Sequence, residues 1–232
     1  MTRVGNSRWR DSAPSRCATP QVDHRLRWRA AVRRFRGRRL RCRQTPPARV
    51  GYPREVTNET VAELIARRMT TTPDFPKPGI LFRDLTALMA DGEGLRRVTD
   101  ALTSAMPADV DAVVGVEARG FLFAAAAAVS RAIGVYPIRK QGKLPGPLLS
   151  ETYDLEYGSA TIELQPDSLA PGSRVYVLDD LLATGGTLVA AVRLLERAGY
   201  VVVGVGVAIE LAELGGRTAL GAHPVNALLT IS

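Results

Sequence analysis

Cysteine and histidine are scarce in this sequence, and their scarcity excludes several kinds of site. The two cysteines are Cys17 and Cys42, and the two histidines are His24 and His223. Residues 55–232 therefore contain no cysteine for a disulfide framework. They contain one histidine, which is too few for a Cys/His zinc site or a Ser-His-acid triad. We expect His223 to have a structural role.

Two further classes of signal are missing. No apolar run is long enough to span a membrane, and the N-terminal stretch lacks the apolar core of a secretory signal. The sequence contains no Gly-x-x-x-x-Gly-Lys-Ser/Thr loop, and no Gly-x-Gly-x-x-Gly follows a strand and opens a helix. We expect a cytoplasmic protein with no membrane partner and with neither of these nucleotide-binding loops.

The net charge of +8 is unevenly distributed along the chain. Residues 1–54 contain 16 arginines and 2 aspartates, a balance of +14, whereas the remaining 178 residues contain 15 basic and 21 acidic side chains, a balance of −6. We predict a disordered basic extension over residues 1–55 and one domain over residues 56–232. The extension is interpreted as an arm for nucleic acid or an acidic surface, a transit peptide, or a stretch absent from the native protein. We expect the native N-terminus near Val56.

From residue 56 onward, apolar runs of strand length alternate with helical patterns. A capping box at Thr60–Glu63 precedes a short helix, three prolines between 73 and 78 force an extended loop, and residues 140–165 are predicted as loop and hairpin. We predict the remaining strands over 112–116, 135–138, 175–178 and 201–209, and helices over 94–106, 120–133 and 187–198. This alternation favours an α/β fold with a doubly wound, mostly parallel sheet.

Residues 175–187 are the most informative segment. An apolar run is followed by Asp179 and Asp180, and then by a glycine turn that opens a helix. Glycine backbone and the free amides of a helix start favour a phosphate, while adjacent carboxylates suit vicinal sugar hydroxyls or a magnesium ion. The alternative is an ordinary turn between strand and helix. The combination of paired carboxylates and a glycine turn favours a site for a phosphorylated sugar. The turn of this site consists of Ala183, Thr184, Gly185, Gly186 and Thr187.

A second strand-to-helix turn lies at residues 113–120. Arg119 at the helix start opposes the helix dipole, which favours an anion ligand over a surface role. Other candidates are weaker when taken alone. Basic residues such as Arg139 and Lys143 usually lie on a solvated face, and Glu156 is equally consistent with an exposed hairpin. Phe82 could be a core residue or a stacking surface for a flat heterocycle.

Four segments resemble the type I phosphoribosyltransferases, and specifically the branch that uses adenine. The resemblance runs from about Val56 to the C-terminus and is carried by the stretches at 75–84, 117–123, 139–157 and 179–187. It implies transfer of a phosphoribosyl group from phosphoribosyl pyrophosphate (PRPP) to adenine, which gives AMP and pyrophosphate in purine salvage. It also implies a magnesium ion held mainly through PRPP, a mobile hood and a homodimer.

The resemblance assigns roles to individual residues. It implies that Leu81, Phe82 and Arg83 bind the base. It also implies that Asp179 and Asp180 bind the ribose hydroxyls and that residues 183–187 bind the 5-phosphate. Pyrophosphate is received by Glu117, Ala118, Arg119, Arg139 and Lys143, with a cis peptide bond between Glu117 and Ala118. Glu156 and Tyr157 close over the reaction centre, and together with Arg119 they are the expected catalytic residues.

Two other functions stay open at this point. A phosphoribosyltransferase for another purine would share most of these residues. A nucleic-acid-binding regulator that senses PRPP would explain the basic extension, although no helix-turn-helix pattern is visible in the sequence.

Overall fold

The computed structural model describes residues 58–155 and 158–232, and these residues form a central sheet with helices on both faces. The strands are β1 (Thr70–Thr72), β2 (Phe82–Asp84), β3 (Ala112–Val116), β4 (Gly134–Lys140), β5 (Leu149–Leu155), β6 (Gly158–Leu164), β7 (Arg174–Leu182), β8 (Val201–Leu211) and β9 (Val225–Ile231). The helices are α1 (Val61–Arg68), α2 (Thr86–Ala90), α3 (Gly92–Ser104), α4 (Gly120–Arg131), α5 (Gly186–Arg197) and α6 (Gly216–Ala219).

The main sheet has seven strands in the order β5-β6-β4-β3-β7-β8-β9. The five strands from β4 to β9 in this order are parallel, and the β5–β6 hairpin joins them antiparallel through the pairing of Arg139 with Glu163. The predicted doubly wound, mostly parallel sheet is therefore confirmed. Strands β1 and β2 form a separate antiparallel pair; neither was predicted, and the residues of β2 were assigned to the proline-rich loop.

Each face of the sheet carries its own apolar core. Along β7, Val175 and Val177 face the core that contains α5, whereas Tyr176 and Leu178 face the core that contains α3 and α4. All four side chains are buried, and each contributes on the order of 1.5–3 kcal/mol through the loss of apolar surface to water. This alternation between two buried faces explains why the strand is a continuous apolar run.

Small residues bring α4 close to the sheet. A side-chain carbon added at Gly115 on β3 would lie 2.9 Å from Cβ of Ala124. The run of alanines at 124–128 thus allows near-contact between helix and strand backbones. In the described part of the chain no helix is long and apolar enough to cross a membrane.

The predicted element types are confirmed, but one boundary differs in an informative way and one strand was not predicted. Strand β7 continues four residues beyond the apolar run, to Leu182, so Asp179 and Asp180 lie within the strand and not after it. Its neighbour β8 extends equally far and pairs with it at Asp179 and Leu181, and backbone pairing does not require apolar side chains. Strand β9 was not predicted; it lies at the edge of the sheet, and all of its residues except the exposed Thr230 are half-buried.

Candidate active site

The two strand-to-helix turns meet at one edge of the sheet. Strands β3 and β7 are adjacent and parallel, with Val114 opposite Val177 and Gly115 opposite Leu178. The turn at 117–119 and the turn at 183–185 therefore emerge side by side at the carboxyl ends of the strands. This is the edge at which open α/β sheets bind their ligands.

The acid pair lies in the second half of β7. Asp179 is half-buried, and its Oδ1 accepts a hydrogen bond of 2.9 Å from the backbone N–H of Asp180, which is itself buried. Burial raises the pKa of both carboxyls; the negative charge of Asp180 adds to this at Asp179, whereas the Arg119 guanidinium opposes it at Asp180. The pair is thus a costly concentration of negative charge that hydroxyl donors or a cation would stabilise.

The turn after β7 is shaped for an anion. Gly185 has φ of +87°, a conformation that favours glycine, and α5 begins at the next residue without a side-chain cap. The backbone N–H groups of the first turn of α5 consequently lack helical acceptors and carry the positive end of the helix dipole. We call residues 183–187 the phosphate loop. Thr184 is exposed, and Thr187 lies in the first turn of the helix.

Arg119 connects the acid pair to the predicted base loop. Its Nη2 lies 2.8 Å from Asp180 Oδ2, and its Nη1 donates a hydrogen bond of 3.2 Å to the carbonyl oxygen of Arg83. The guanidinium also lies over the ring of Phe82, with Cζ 5.1 Å from the ring centre. One side chain thus contacts two predicted site segments that are far apart in the sequence, at residues 82–83 and at Asp180.

Glu117 and Arg139 form a second ion pair at the same edge. Arg139 Nε donates to Glu117 Oε2 at 2.9 Å, and the backbone N–H of Lys140 donates to the same oxygen at 2.9 Å. Partial burial acts to raise the pKa of the Glu117 carboxyl, but these two hydrogen bonds and the positive charges of Arg139 and Lys140 together outweigh it, and the pKa is lowered. The peptide bond between Glu117 and Ala118 is cis, as the resemblance implied.

The β5–β6 hairpin contacts the phosphate loop from the other side. Thr187 Oγ1 donates a hydrogen bond of 3.0 Å to the Tyr153 hydroxyl, and a side-chain carbon added at Gly186 would lie 3.2 Å from the carbonyl oxygen of Asp154. Lys143 is exposed in the loop between β4 and β5. The predicted catalytic residues Glu156 and Tyr157 lie outside the described residues.

The proline-rich loop supplies an aromatic ring beside Arg119. Phe82 is half-buried and packs edge-on against Phe75, with ring centres 5.1 Å apart, while Leu81 is 45% exposed. Arg83 Nη1 donates to Thr71 Oγ1 at 2.9 Å, which attaches β2 to β1 through side chains as well as through the backbone. Phe82 is therefore neither fully buried in the core nor fully exposed, and one face of its ring is covered by a guanidinium.

The donor set of the site fits a magnesium ion held largely by a substrate. Among the described residues no group of three or more Asp, Glu, His or Cys side chains could hold a metal. Asp179 and Asp180 supply two carboxylates, and Mg²⁺ is commonly held by one or two carboxylates together with substrate phosphates.

His223 bonds to Leu220 O and to Glu196, both at 3.0 Å, which agrees with the structural role expected of it.

Contacts between distant segments were not predicted from the sequence. Phe121, over whose ring Arg139 lies with Cζ 5.7 Å from the centre, received no role, and neither did Tyr153. No spacing rule brings a hairpin residue to a helix start 34 positions away. The only signal in the sequence for a role of Phe121 or Tyr153 was that each lies in a stretch that carries the resemblance, at 117–123 and at 139–157.

Comparison with known proteins gives concordant results. Residues 87–220 match the family model described as the phosphoribosyl transferase domain. The chain is 60% identical over 180 residues to the adenine phosphoribosyltransferase of Clavibacter sepedonicus, covering 78% of this chain and 94% of that one. It is 52% identical over 182 residues to the enzyme of the same name from Renibacterium salmoninarum, covering 78% of this chain and all of that one.

Solved structures of the same name share the fold. The adenine phosphoribosyltransferase of Rhodothermus marinus is 44% identical, with a TM-score of 0.70 over 74% of this chain and 98% of that chain. The Saccharomyces cerevisiae enzyme, complexed with an imino-altritol bisphosphate and adenine, is 35% identical, with a TM-score of 0.68 over 73% of this chain and 98% of that chain. The predicted resemblance and its fold are confirmed.

Proposed function

Because this chain belongs to the adenine phosphoribosyltransferases of the phosphoribosyl transferase family, we propose that the carboxyl edge of its sheet is the active site. The enzyme transfers the 5-phosphoribosyl group of PRPP to adenine, which gives AMP and pyrophosphate and salvages the purine. The observation that carries the site assignment is the position of Arg119, which contacts Asp180, the Arg83 carbonyl and the Phe82 ring together.

The phosphate loop and the acid pair hold the sugar. The 5-phosphate accepts hydrogen bonds from the backbone N–H groups at the start of α5 and from the hydroxyls of Thr184 and Thr187. Asp179 and Asp180 accept hydrogen bonds from the ribose hydroxyls, which compensates for the burial of their charge. The two carboxylates precede the loop on the same strand, so one segment fixes both ends of the ribose.

Cationic side chains stabilise the leaving pyrophosphate. A ring nitrogen of adenine forms a bond to C1 of the ribose as the bond from C1 to the pyrophosphate oxygen breaks, and the electron pair leaves with that oxygen. Arg119, Arg139 and Lys143 offset the growing negative charge, while Glu117 and Ala118 shape the turn that receives it. Arg119 acts from beside Asp180, and Arg139 from beside Glu117.

The base lies between the proline-rich loop and the ribose. Phe82 offers a ring for stacking, and Leu81 and Arg83 offer backbone and side-chain groups for the edge of the heterocycle. Adenine presents a donor at position 6 where hypoxanthine and guanine present an acceptor, so a fixed set of partners discriminates between them. Glu156 and Tyr157 close over the reaction centre, where the carboxylate accepts a proton from the base.

Asp179 and Asp180 are the residues that would hold a magnesium ion together with PRPP. Such an ion would supply positive charge to the pyrophosphate and reduce the repulsion between the two carboxylates. Phosphoryl oxygens of the substrate would supply further ligands, as is usual for Mg²⁺ at phosphate-binding sites.

The catalytic domain, the dimer and the compartment complete the proposal. The catalytic domain spans residues 56–232, which is supported by relatives that align along 92% or more of their own length with 73–78% of this chain. The enzyme is a homodimer in the cytoplasm. Dimer formation is supported by exposed apolar side chains on α4 and β4, namely Leu122 (52% exposed), Val129 (82%) and Val135 (50%).

Formation of AMP from PRPP and magnesium tests the function. Adenine, hypoxanthine and guanine are compared on the full chain and on a variant that begins at Val56. We expect turnover with adenine alone and equal rates in both proteins. Turnover with another purine at a comparable rate would refute the base assignment, and loss of turnover in the shorter variant would refute the proposed domain boundary.

Asp180→Asn and Asp167→Asn are the matched pair for the site. Both replace one carboxylate by an amide, but Asp167 is exposed in the turn between β6 and β7. We expect Asp180→Asn to reduce kcat/KM by about 10- to 150-fold, the loss of one charge-assisted hydrogen bond, and Asp167→Asn to leave it unchanged. Equal kcat/KM in the two variants would show that the acid pair does not bind the substrate.

A further inference from the structure

We infer that Glu210 and Arg217 are positioning residues for the phosphate loop, an inference that rests on the proposed function of that loop. Neither residue lies in the loop or in any segment to which a role was assigned. Glu210 lies near the end of β8, and Arg217 lies in α6, the short helix that follows β8 and contacts the loop. Their contacts fix the backbone on which the loop is supported.

Glu210 and Arg217 form a two-point ion pair. Arg217 Nε donates to Glu210 Oε1 at 2.9 Å, and Nη2 donates to Oε2 at 2.5 Å. Arg217 Nη1 donates in addition to the carbonyl oxygen of Val225 at 2.7 Å, so one guanidinium joins α6 to β8 and to the first residue of β9. The Glu210 side chain is 6% exposed, so most of this pair is shielded from water on the carboxylate side.

The residue before Arg217 lies directly against the phosphate loop. A side-chain carbon added at Gly216 would lie 2.2 Å from the carbonyl oxygen of Ala183 and 2.6 Å from Leu182 Cδ1. One added at Gly185 would lie 2.9 Å from the carbonyl oxygen of Gly216. The backbones of the loop and of α6 are therefore in contact at two points, with no side chain between them.

This arrangement links the ion pair to the geometry of the loop. Strand β8 is held in the sheet by β7 and β9, so Glu210 is a fixed point. The forked contact to Glu210 and the bond to Val225 fix the orientation of Arg217, and thereby the position of Gly216 against Ala183. A four-residue helix has little stability of its own, so without the fork α6 would move and the loop would lose its support.

The test measures KM for PRPP and for adenine separately in the full chain. Arg217→Ala is expected to raise KM for PRPP by about tenfold, because a displacement of a fraction of an ångström weakens contacts to the phosphate, and to change KM for adenine by less than about twofold. Arg217→Lys keeps the charge beside Glu210, and hence the fold, but cannot form the fork. We expect it to raise KM for PRPP in the same direction by a smaller factor.

Two further variants separate this inference from its premise. Arg174→Ala breaks an ion pair with Asp109 (2.9 Å) at the opposite end of β7, and we expect it to leave both KM values unchanged. Thr184→Val removes a hydroxyl from the loop itself and should raise KM for PRPP. If Thr184→Val has no effect on KM for PRPP, the assignment of the loop to the phosphate is wrong.

Unchanged KM values in Arg217→Lys, when Thr184→Val raises KM for PRPP, would overturn the inference alone. Equal rises in KM for PRPP and KM for adenine in Arg217→Lys would also overturn the inference. Such rises would indicate a general structural role with no specificity for the phosphate. Calorimetric titration with ribose 5-phosphate gives a second readout that does not depend on turnover. We expect Arg217→Lys to weaken that binding by the same factor as it raises KM for PRPP.

Discussion

Gly120 permits the close approach of the two turns that form the proposed site. It is the first residue of α4, and a side-chain carbon added there would lie 2.7 Å from the carbonyl oxygen of Leu178 and 2.9 Å from Asp179 Oδ1. Contact becomes ordinary at about 3.4 Å, so Gly120→Ala requires α4 and β7 to separate by roughly 0.7 Å, the difference between 3.4 and 2.7 Å. The clash is with backbone, which cannot rotate away.

The separation has two measurable consequences. Overpacking of this kind costs about 1–3 kcal/mol of stability, which for a domain of this size corresponds to a fall in Tm of roughly 2–12 °C. A displacement approaching 1 Å between groups that hold a substrate reduces the rate by on the order of 10- to 100-fold. We therefore expect Gly120→Ala to lower kcat/KM with adenine and PRPP by that factor at a temperature where the variant is fully folded.

Gly134→Ala is the matched control. Gly134 begins β4 at the opposite edge of the sheet, and the nearest atom to an added carbon is Cβ of Ala112 at 3.8 Å, an ordinary contact. Neither glycine has a positive φ, so neither substitution strains the backbone by itself. A Gly120→Ala enzyme with the kcat/KM of Gly134→Ala and of the unaltered chain would refute the reasoning.

Three further predictions concern the base loop, the acid pair and a helix end. Phe82→Ala should raise KM for adenine about tenfold, because the base loses the aromatic ring on which it stacks, whereas Phe82→Tyr should change that KM less than about twofold. Equal KM values for adenine in the two variants would contradict the stacking role. Asp179→Asn should increase the free energy of unfolding at neutral pH, because burial raises the pKa of Asp179. The pKa of Asp179 in the folded state lies above the ordinary value of 3.8, so the stability of the unaltered chain falls as pH rises from about 4 to the folded pKa. Denaturant titrations at several pH values should therefore show that the stability advantage of the variant disappears below about pH 4. Ala132→Gly should stabilise the fold by about 0.5–1 kcal/mol, measured as a rise in Tm, because Ala132 ends α4 with φ of +53°; a lower Tm would show that its methyl group packs usefully.

The sequence predicted the parts of the fold that have local causes. Strand β3 was predicted with its observed bounds, since five apolar residues buried on both faces leave a continuous signal between polar ends. The start of α5 was predicted within one or two residues, because Gly185 and Gly186 both turn the chain and open the helix. Local chemistry of this kind does not depend on which distant segment packs nearby.

The remaining features depend on contacts between distant residues. The apolar run predicts that β7 ends at Leu178, but a ladder with β8 continues through both aspartates. Arg119 was predicted to bind an anion, and no property of its own segment indicates that it lies between Asp180 and Arg83. Such contacts arise from the order of strands in the sheet, which no single segment specifies.

The ion pairs at the sheet edge determine how the proposed site receives an anion. Arg119 and Arg139 are 31% and 32% exposed, whereas their partners Asp180 and Glu117 are 8% and 15% exposed. Each arginine therefore contacts a carboxylate while about a third of its side chain stays accessible to solvent. A guanidinium has five N–H donors, so it can bind a phosphoryl oxygen without releasing the carboxylate. The carboxylates thus orient the two cations before the leaving group develops its charge, which is the condition under which electrostatic stabilisation needs little reorganisation. Lysine has no fork with which to serve both partners, so an Arg→Lys exchange at either position is not conservative in this site.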